Sequence, residues 1–189
     1  LHYIASGLSF IYVPSMNRDT EPHMVDWIRD SFTKMQYPNN KFGILYNAFV
    51  ESNFGKTFSA NYRDVVCDIH ADSGGLQMVT IGKEATSENK KTIYKSQADN
   101  STVAMSFDEI PVNKIFDPTS KDGATASSKK KVYMPGLLKE KATKSGENLK
   151  EQLEFFLEYG TVSRPLLIAQ GNDIQSFIDW TNYVQDAIP

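Results

Sequence analysis

Three short polar clusters carry the side chains best suited to chemistry: Asp72-Ser73-Gly74-Gly75, Ser106-Phe107-Asp108-Glu109 and Ala169-Gln170-Gly171. An ionised carboxylate only accepts hydrogen bonds, so Asp72 and Asp108 suit a ligand that offers several N–H groups. The Gln170 amide both donates and accepts, and can read a carbonyl edge. The Ser73-Gly74-Gly75 turn lets a ligand approach the backbone closely, either a phosphate cradled by N–H groups or a flat base lying against the chain. Each cluster follows an apolar, β-rich run. In a parallel α/β architecture the carboxyl ends of the strands form one face, where ligands bind. Converging there, the clusters describe a pocket for an amide-like heterocycle, such as the N1–H, amino group and O6 of a purine. The competing role of each is local: residues of these types cap the helices that follow, and Gly-Gly makes an ordinary tight turn.

The elements that must position these residues can be read from periodicity. Leu8 to Val13, stopped by Pro14, reads as a buried strand. A helix opens at Pro22, with Met24, Trp27, Ile28, Ser31 and Met35 at helical spacing. Phe42 to Val50, Val65 to Ile69, Thr102 to Phe107 and Leu166 to Ala169 are further strands, the last after a reset at Arg164-Pro165. Glu84 to Ala98 is a polar helix, and Leu149 to Tyr159 a helix with Leu153, Phe156 and Leu157 as its apolar stripe. Asp173 to Val184 is the last helix, with Ile174, Phe177, Ile178 and Val184 expected inward. Val112 to Ser145 is an irregular stretch, giving a Lys-rich insertion over 112–146. Alternation of strand and helix predicts an α/β fold with a parallel sheet. An open doubly wound sheet and a (β/α)8 TIM barrel both fit; no G-x-G-x-x-G follows the first strand, which weakens the former. A full barrel needs about 250 residues. The expectation is therefore one domain, 1–189, forming the N-terminal part of a barrel with five strands.

The clusters resemble a known family. Asp72-Ser73-Gly74-Gly75-Leu76-Gln77 is similar to the D-S-G-G-[FY]-Q motif of the tRNA-guanine transglycosylases, and Ser106-Phe107-Asp108-Glu109-Ile110-Pro111 to their [SA]-F-D-E-C. Ala169-Gln170-Gly171 resembles their [VIQ]-Q-G, and Ile44-Leu45-Tyr46-Asn47 the I-L-x-N that lines the same pocket. The ordered set spans Phe42 to Trp180 and most resembles the phage and bacterial branch that inserts 7-deazaguanines into DNA. The resemblance implies exchange of guanine in a polynucleotide, DNA rather than tRNA, for a 7-deazaguanine such as preQ0. It implies Asp72 as general acid/base and Asp108 as acceptor from the N1–H and amino group of the base. Gln170 would contact the carbonyl, and Ser73, Gly74, Gln77, Asn47 and Gly171 would shape the base site. Cleaving a glycosidic bond leaves a purine anion that must be protonated and held, and the nucleotide must first leave its stack.

Departures accompany the match. Ile110 stands where the family has Cys, and Leu76 where it has an aromatic lid. The resemblance also implies that the nucleophilic Asp and a Cys3His zinc site lie beyond the fifth strand, past Pro189. The chain is thus expected to be an N-terminal portion or a shortened paralogue, holding no cofactor itself and unable to complete a double displacement alone. The alternative is a non-catalytic chain that binds nucleic acid, forms a homodimer or pairs with a complete subunit.

Composition limits the remaining classes. A 40% hydrophobic and 12% aromatic content excludes a disordered chain. No apolar run approaches the roughly 18 residues of a membrane span and no signal-peptide pattern opens the chain, so a cytoplasmic protein is expected. The single cysteine, Cys67, reads as a small buried hydrophobe and excludes a disulfide framework. Net charge is −3, yet nine lysines from Lys114 to Lys150 face four acids. Lys129, Lys130 and Lys131 are the expected contacts to a phosphate backbone, against a simply solvated insertion. His70 reads as a hydrogen-bonded structural residue. A third reading makes Asp68, His70, Asp72 and Asp108 the ligands of a metal-dependent hydrolase.

Overall fold

The computed structural model describes residues 21–34, 42–52, 66–75, 86–116 and 129–188. The expected strand Leu8 to Val13, together with Leu76 and Gln77, lies outside the described residues. The elements in chain order are α1 (Glu21–Lys34), β1 (Phe42–Asn47), β2 (Val66–Asp72), α2 (Ser87–Asn100) and β3 (Val103–Met105). There follow β4 (Val112–Phe116), β5 (Lys129–Tyr133), a 3-10 turn (Pro135–Leu137), α3 (Leu138–Tyr159), β6 (Arg164–Leu166) and α4 (Ile174–Ala187). The fold is mixed α/β. Its main sheet has four parallel strands in the order β1-β2-β3-β6, so each described strand lies beside the next one in the chain that joins the sheet.

The residues divide into two compact units. The first holds Leu1–Gly74, Ala85–Met105 and Glu154–Leu166; the second holds Gly75–Glu84, Ser106–Leu153 and Leu167–Pro189. In the first, alternation along the strands sorts the two sheet faces. Ile44 and Tyr46 of β1 and Ile69 and Ala71 of β2 are buried, whereas Leu45, Asn47, Asp68, His70 and Asp72 are half-buried. The parallel register sets Leu45 beside His70 and Asn47 beside Asp72. Helix α2 packs on β2 and β3. Its N-cap Thr86 accepts from the Asn89 N–H at 3.3 Å, and Tyr46 Oη donates to Ser96 O at 3.3 Å.

Several sequence expectations shift. In α1 the buried stripe is Val25 and Ile28, while Trp27 is 64% exposed. The strand expected over Phe42 to Val50 ends at Asn47, where the chain turns. The fifth strand is Arg164–Leu166 rather than Leu166 to Ala169. Pro165 fits there because β6 is the edge strand of the described sheet: Arg164 N donates to Thr102 O at 3.0 Å, and the next nitrogen along faces the open side, where proline forfeits no bond.

The second unit corrects the irregular stretch Val112 to Ser145. That stretch contains an antiparallel hairpin of β4 and β5, with Lys114 opposite Lys131, and the first turns of α3. Its Lys, Ser and Gly content hid a short ladder. Helix α3 begins at Leu138 rather than Leu149 because the 3-10 turn, with Pro135 at its start, leads directly into it. The second unit's core is Leu138, Ala142, Trp180 and Val184. Helix α4 therefore buries Trp180 and Val184. Ile174, Phe177 and Ile178, expected inward, are exposed, Ile174 by 80%; the inward row is set by the contact with α3, not by the most apolar arc of α4.

Candidate functional site

In the first unit the sequence-singled residues Asn47, Asp72, Ser73 and Gly74 come together where β1 and β2 end. Ala48 N donates to Asp72 O at 2.9 Å, prolonging the ladder by one bond. The Asp72 carboxylate accepts from the N–H groups of Gly74 and Ser73. Burial pushes its carboxyl above the ordinary value of 3.8, and those two N–H groups oppose the rise. Gly74 sits at φ +73°, and a Cβ built on it would lie 2.6 Å from Phe49 Cβ and 2.8 Å from Asn47 Oδ1. Only glycine satisfies both the left-handed backbone and the close approach. Asn47 Oδ1 accepts from Phe49 N at 3.0 Å and Val50 N at 3.1 Å, so it closes the turn after β1. The Ser73 hydroxyl is wholly buried with no partner among the described residues.

Sequence reasoning missed Gln97. Its buried Nε2 donates to Ala71 O at 3.2 Å and to Met105 O at 2.8 Å. It thereby ties the ends of β2 and β3 one residue before Asp72. A glutamine within a polar helix gives no periodic signal of such a role, because its partners are main-chain carbonyls distant in sequence.

In the second unit Asp108, Gln170 and Gly171 come together. The Gln170 amide Nε2 donates to Asp108 Oδ2. The segment carrying Asp108 is fastened at three points: Asn148 Nδ2 donates to Phe107 O at 3.0 Å, Glu109 N donates to Ser145 Oγ at 2.7 Å, and Lys141 Nζ lies 3.1 Å from Glu109 Oε2. All three anchors come from α3. The Ser106 hydroxyl is wholly buried without a partner among the described residues. Gly171 lies hard against the start of α4, where an added Cβ would stand 2.6 Å from Ser176 Oγ. There Asp173 and Ser176 form a capping box, with Ser176 N donating to Asp173 Oδ1 at 2.7 Å.

Chemically, the first group offers a carboxyl biased toward keeping its proton, beside a glycine turn. The second offers a carboxylate oriented by an amide. Lys129, Lys130 and Lys131 lie on β5, paired with Phe116, Ile115 and Lys114. For the hydrolase alternative, His70 Nε2 lies 3.3 Å from Asp68 Oδ2, and Asp68 Oδ1 accepts from the Thr102 hydroxyl. No group of three or more His, Cys, Asp or Glu suited to a metal ion occurs among the described residues. A Cys3His zinc site does not fit these 189 residues, which hold one cysteine, Cys67 on β2. No described helix is long and apolar enough to cross a membrane.

Comparison with known proteins finds no matching family model, no matching curated protein and no matching solved structure.

Proposed function

We propose that the chain serves a base-exchange reaction in which guanine in a polynucleotide, DNA rather than tRNA, is replaced by a 7-deazaguanine such as preQ0. The observation that carries this reading is the Asp108–Gln170 pair, an amide holding a carboxylate at the position the D-E and Q-G motifs assign to base recognition. Asp108 accepts from the N1–H and exocyclic amine of the base. The second N–H of Gln170 serves the base carbonyl, its first being engaged with Asp108. Asp72 exchanges a proton with the departing purine, a role that suits a carboxyl raised by burial. The barrel reading draws support from the sheet, whose described strands follow chain order; a doubly wound sheet reverses that order at its switch point.

Titration with guanine and preQ0 tests the base site. Asp108→Ala is expected to weaken binding by about 100-fold, since two hydrogen bonds to a charged acceptor are lost together. Unchanged affinity overturns the assignment. Nucleoside mass analysis of DNA from cells expressing the gene gives the reaction: a 7-deazaguanine that disappears in Asp72→Ala supports exchange on DNA. Guanine binding that depends on Asp108, with unmodified DNA, moves the reading to a tRNA substrate or to a non-catalytic binding chain.

A further inference from the structure

A cavity of about 390 Å³ lies wholly within the second unit. Its size falls in the usual small-ligand range of roughly 300–1,000 Å³. One wall runs from Tyr133 at the end of β5 through the 3-10 turn to Lys139; the other is the first turns of α4, including Gln175, Asp179 and Tyr183. On that second wall Gln175 Nε2 donates to Asp179 Oδ1 at 2.8 Å. This is the same amide-to-carboxylate pairing as Gln170 with Asp108, now on successive turns of a helix. The bond leaves the pair two acceptors, the second carboxylate oxygen of Asp179 and the amide carbonyl of Gln175. Tyr183 lines the same cavity, and Lys139 Nζ lies over its ring, 5.6 Å from the centroid. Lys139 itself is exposed. The strand that delivers Tyr133 begins with Lys129, Lys130 and Lys131.

The combination matches one ligand chemistry. Paired acceptors take the amino edge of a base, as guanine presents with N1–H and its exocyclic amine. The Tyr183 ring gives that base a stacking surface once the exposed Lys139 side chain swings off it to reach the phosphate. We infer that this cavity is a second nucleotide subsite, taking a guanine nucleotide. In the setting of the proposed function, on which the polynucleotide context rests, that nucleotide is one of the bound strand other than the exchanged base.

The test uses the Asp108→Ala protein, in which the first base site is disabled. GMP and a thymidine oligonucleotide carrying a single guanosine are titrated, with an all-thymidine oligonucleotide as reference. The guanosine oligonucleotide is expected to bind more tightly than the reference. Adding Tyr183→Ala is expected to weaken it by about tenfold, the usual effect of removing one stacking ring. Tyr183 touches the core, so Asp179→Asn at the rim is the second variant; it is expected to erase the preference for guanosine over thymidine. Lys139→Ala is expected to flatten the salt dependence of binding.

GMP binding that responds to the same variants marks a site open to free nucleotides, whereas a response of the oligonucleotide alone marks a site for the strand; both support the nucleotide assignment. Equal affinity for the two oligonucleotides, or affinity untouched by Tyr183→Ala and Asp179→Asn, overturns it. So does an arginine-rich peptide that binds in their place and is lost in Asp179→Asn. Because the guanosine preference is read with Asp108 already replaced, its absence leaves the Asp108 assignment standing, and unchanged guanine affinity in Asp108→Ala overturns that assignment while leaving this one standing.

Discussion

Asp72 is a carboxyl whose surroundings pull in two directions. Burial favours the neutral acid, and the N–H groups of Gly74 and Ser73 favour the anion, with burial the stronger. The folded value therefore lies above the ordinary 3.8. Stability from this group is fully present below that ordinary value and is lost as pH rises through the folded one. Asp72→Asn, which keeps an acceptor for the two N–H groups, removes the loss. Thermal unfolding followed across pH is thus expected to give coincident curves near about pH 3 and a variant that grows more stable than the parent toward about pH 7. A difference that stays flat with pH would sink this account of Asp72. The residue was singled out in sequence by its place before Ser73-Gly74-Gly75. The roles of its neighbours were less so: Asn47 was expected to shape the base site, yet its carbonyl closes its own turn.

Elements hold these residues through main-chain partners. Helix α2 is weakly amphipathic, yet it carries Gln97, whose amide bonds two carbonyls at the ends of β2 and β3. Gln97→Leu keeps similar bulk but strands both carbonyls, at about 1–3 kcal/mol each. Urea unfolding is expected to show a loss of about 3 kcal/mol. A loss of under about 0.5 kcal/mol, the usual effect of a neutral surface change, would remove the tie from the account. The strands β1, β2 and β3 and the helices were visible in sequence because alternation and helical spacing report burial directly. Two elements were obscured for opposite reasons. The β4–β5 hairpin mixes lysines with apolar residues that do not alternate, so no period of two announces it, and β6 contains a proline that reads as a break unless the strand is known to lie at an edge. The apolar arc of α4 misled in turn, since Ile174, Phe177 and Ile178 are exposed while Trp180 and Val184 make the core.

At the scale of the whole chain, composition and alternation were enough for the mixed α/β class and a parallel sheet, because a sheet buried by helices demands that pattern. They led to an expectation of one domain, 1–189, and did not resolve the two compact units, each with its own buried residues. That division takes on a practical meaning through the only two tryptophans in the chain. Trp27 belongs to the first unit and is 64% exposed; Trp180 belongs to the second and is 0% exposed. The protein therefore carries two optical reporters of opposite character. Acrylamide is expected to quench the red-shifted emission of Trp27 and to spare the blue-shifted emission of Trp180. In Trp27→Phe the remaining fluorescence follows the second unit alone, so its denaturation midpoint can be set against the circular dichroism of the entire chain. Coincident midpoints mean that the two units melt as one cooperative body; separated midpoints mean that either can open while the other stays folded.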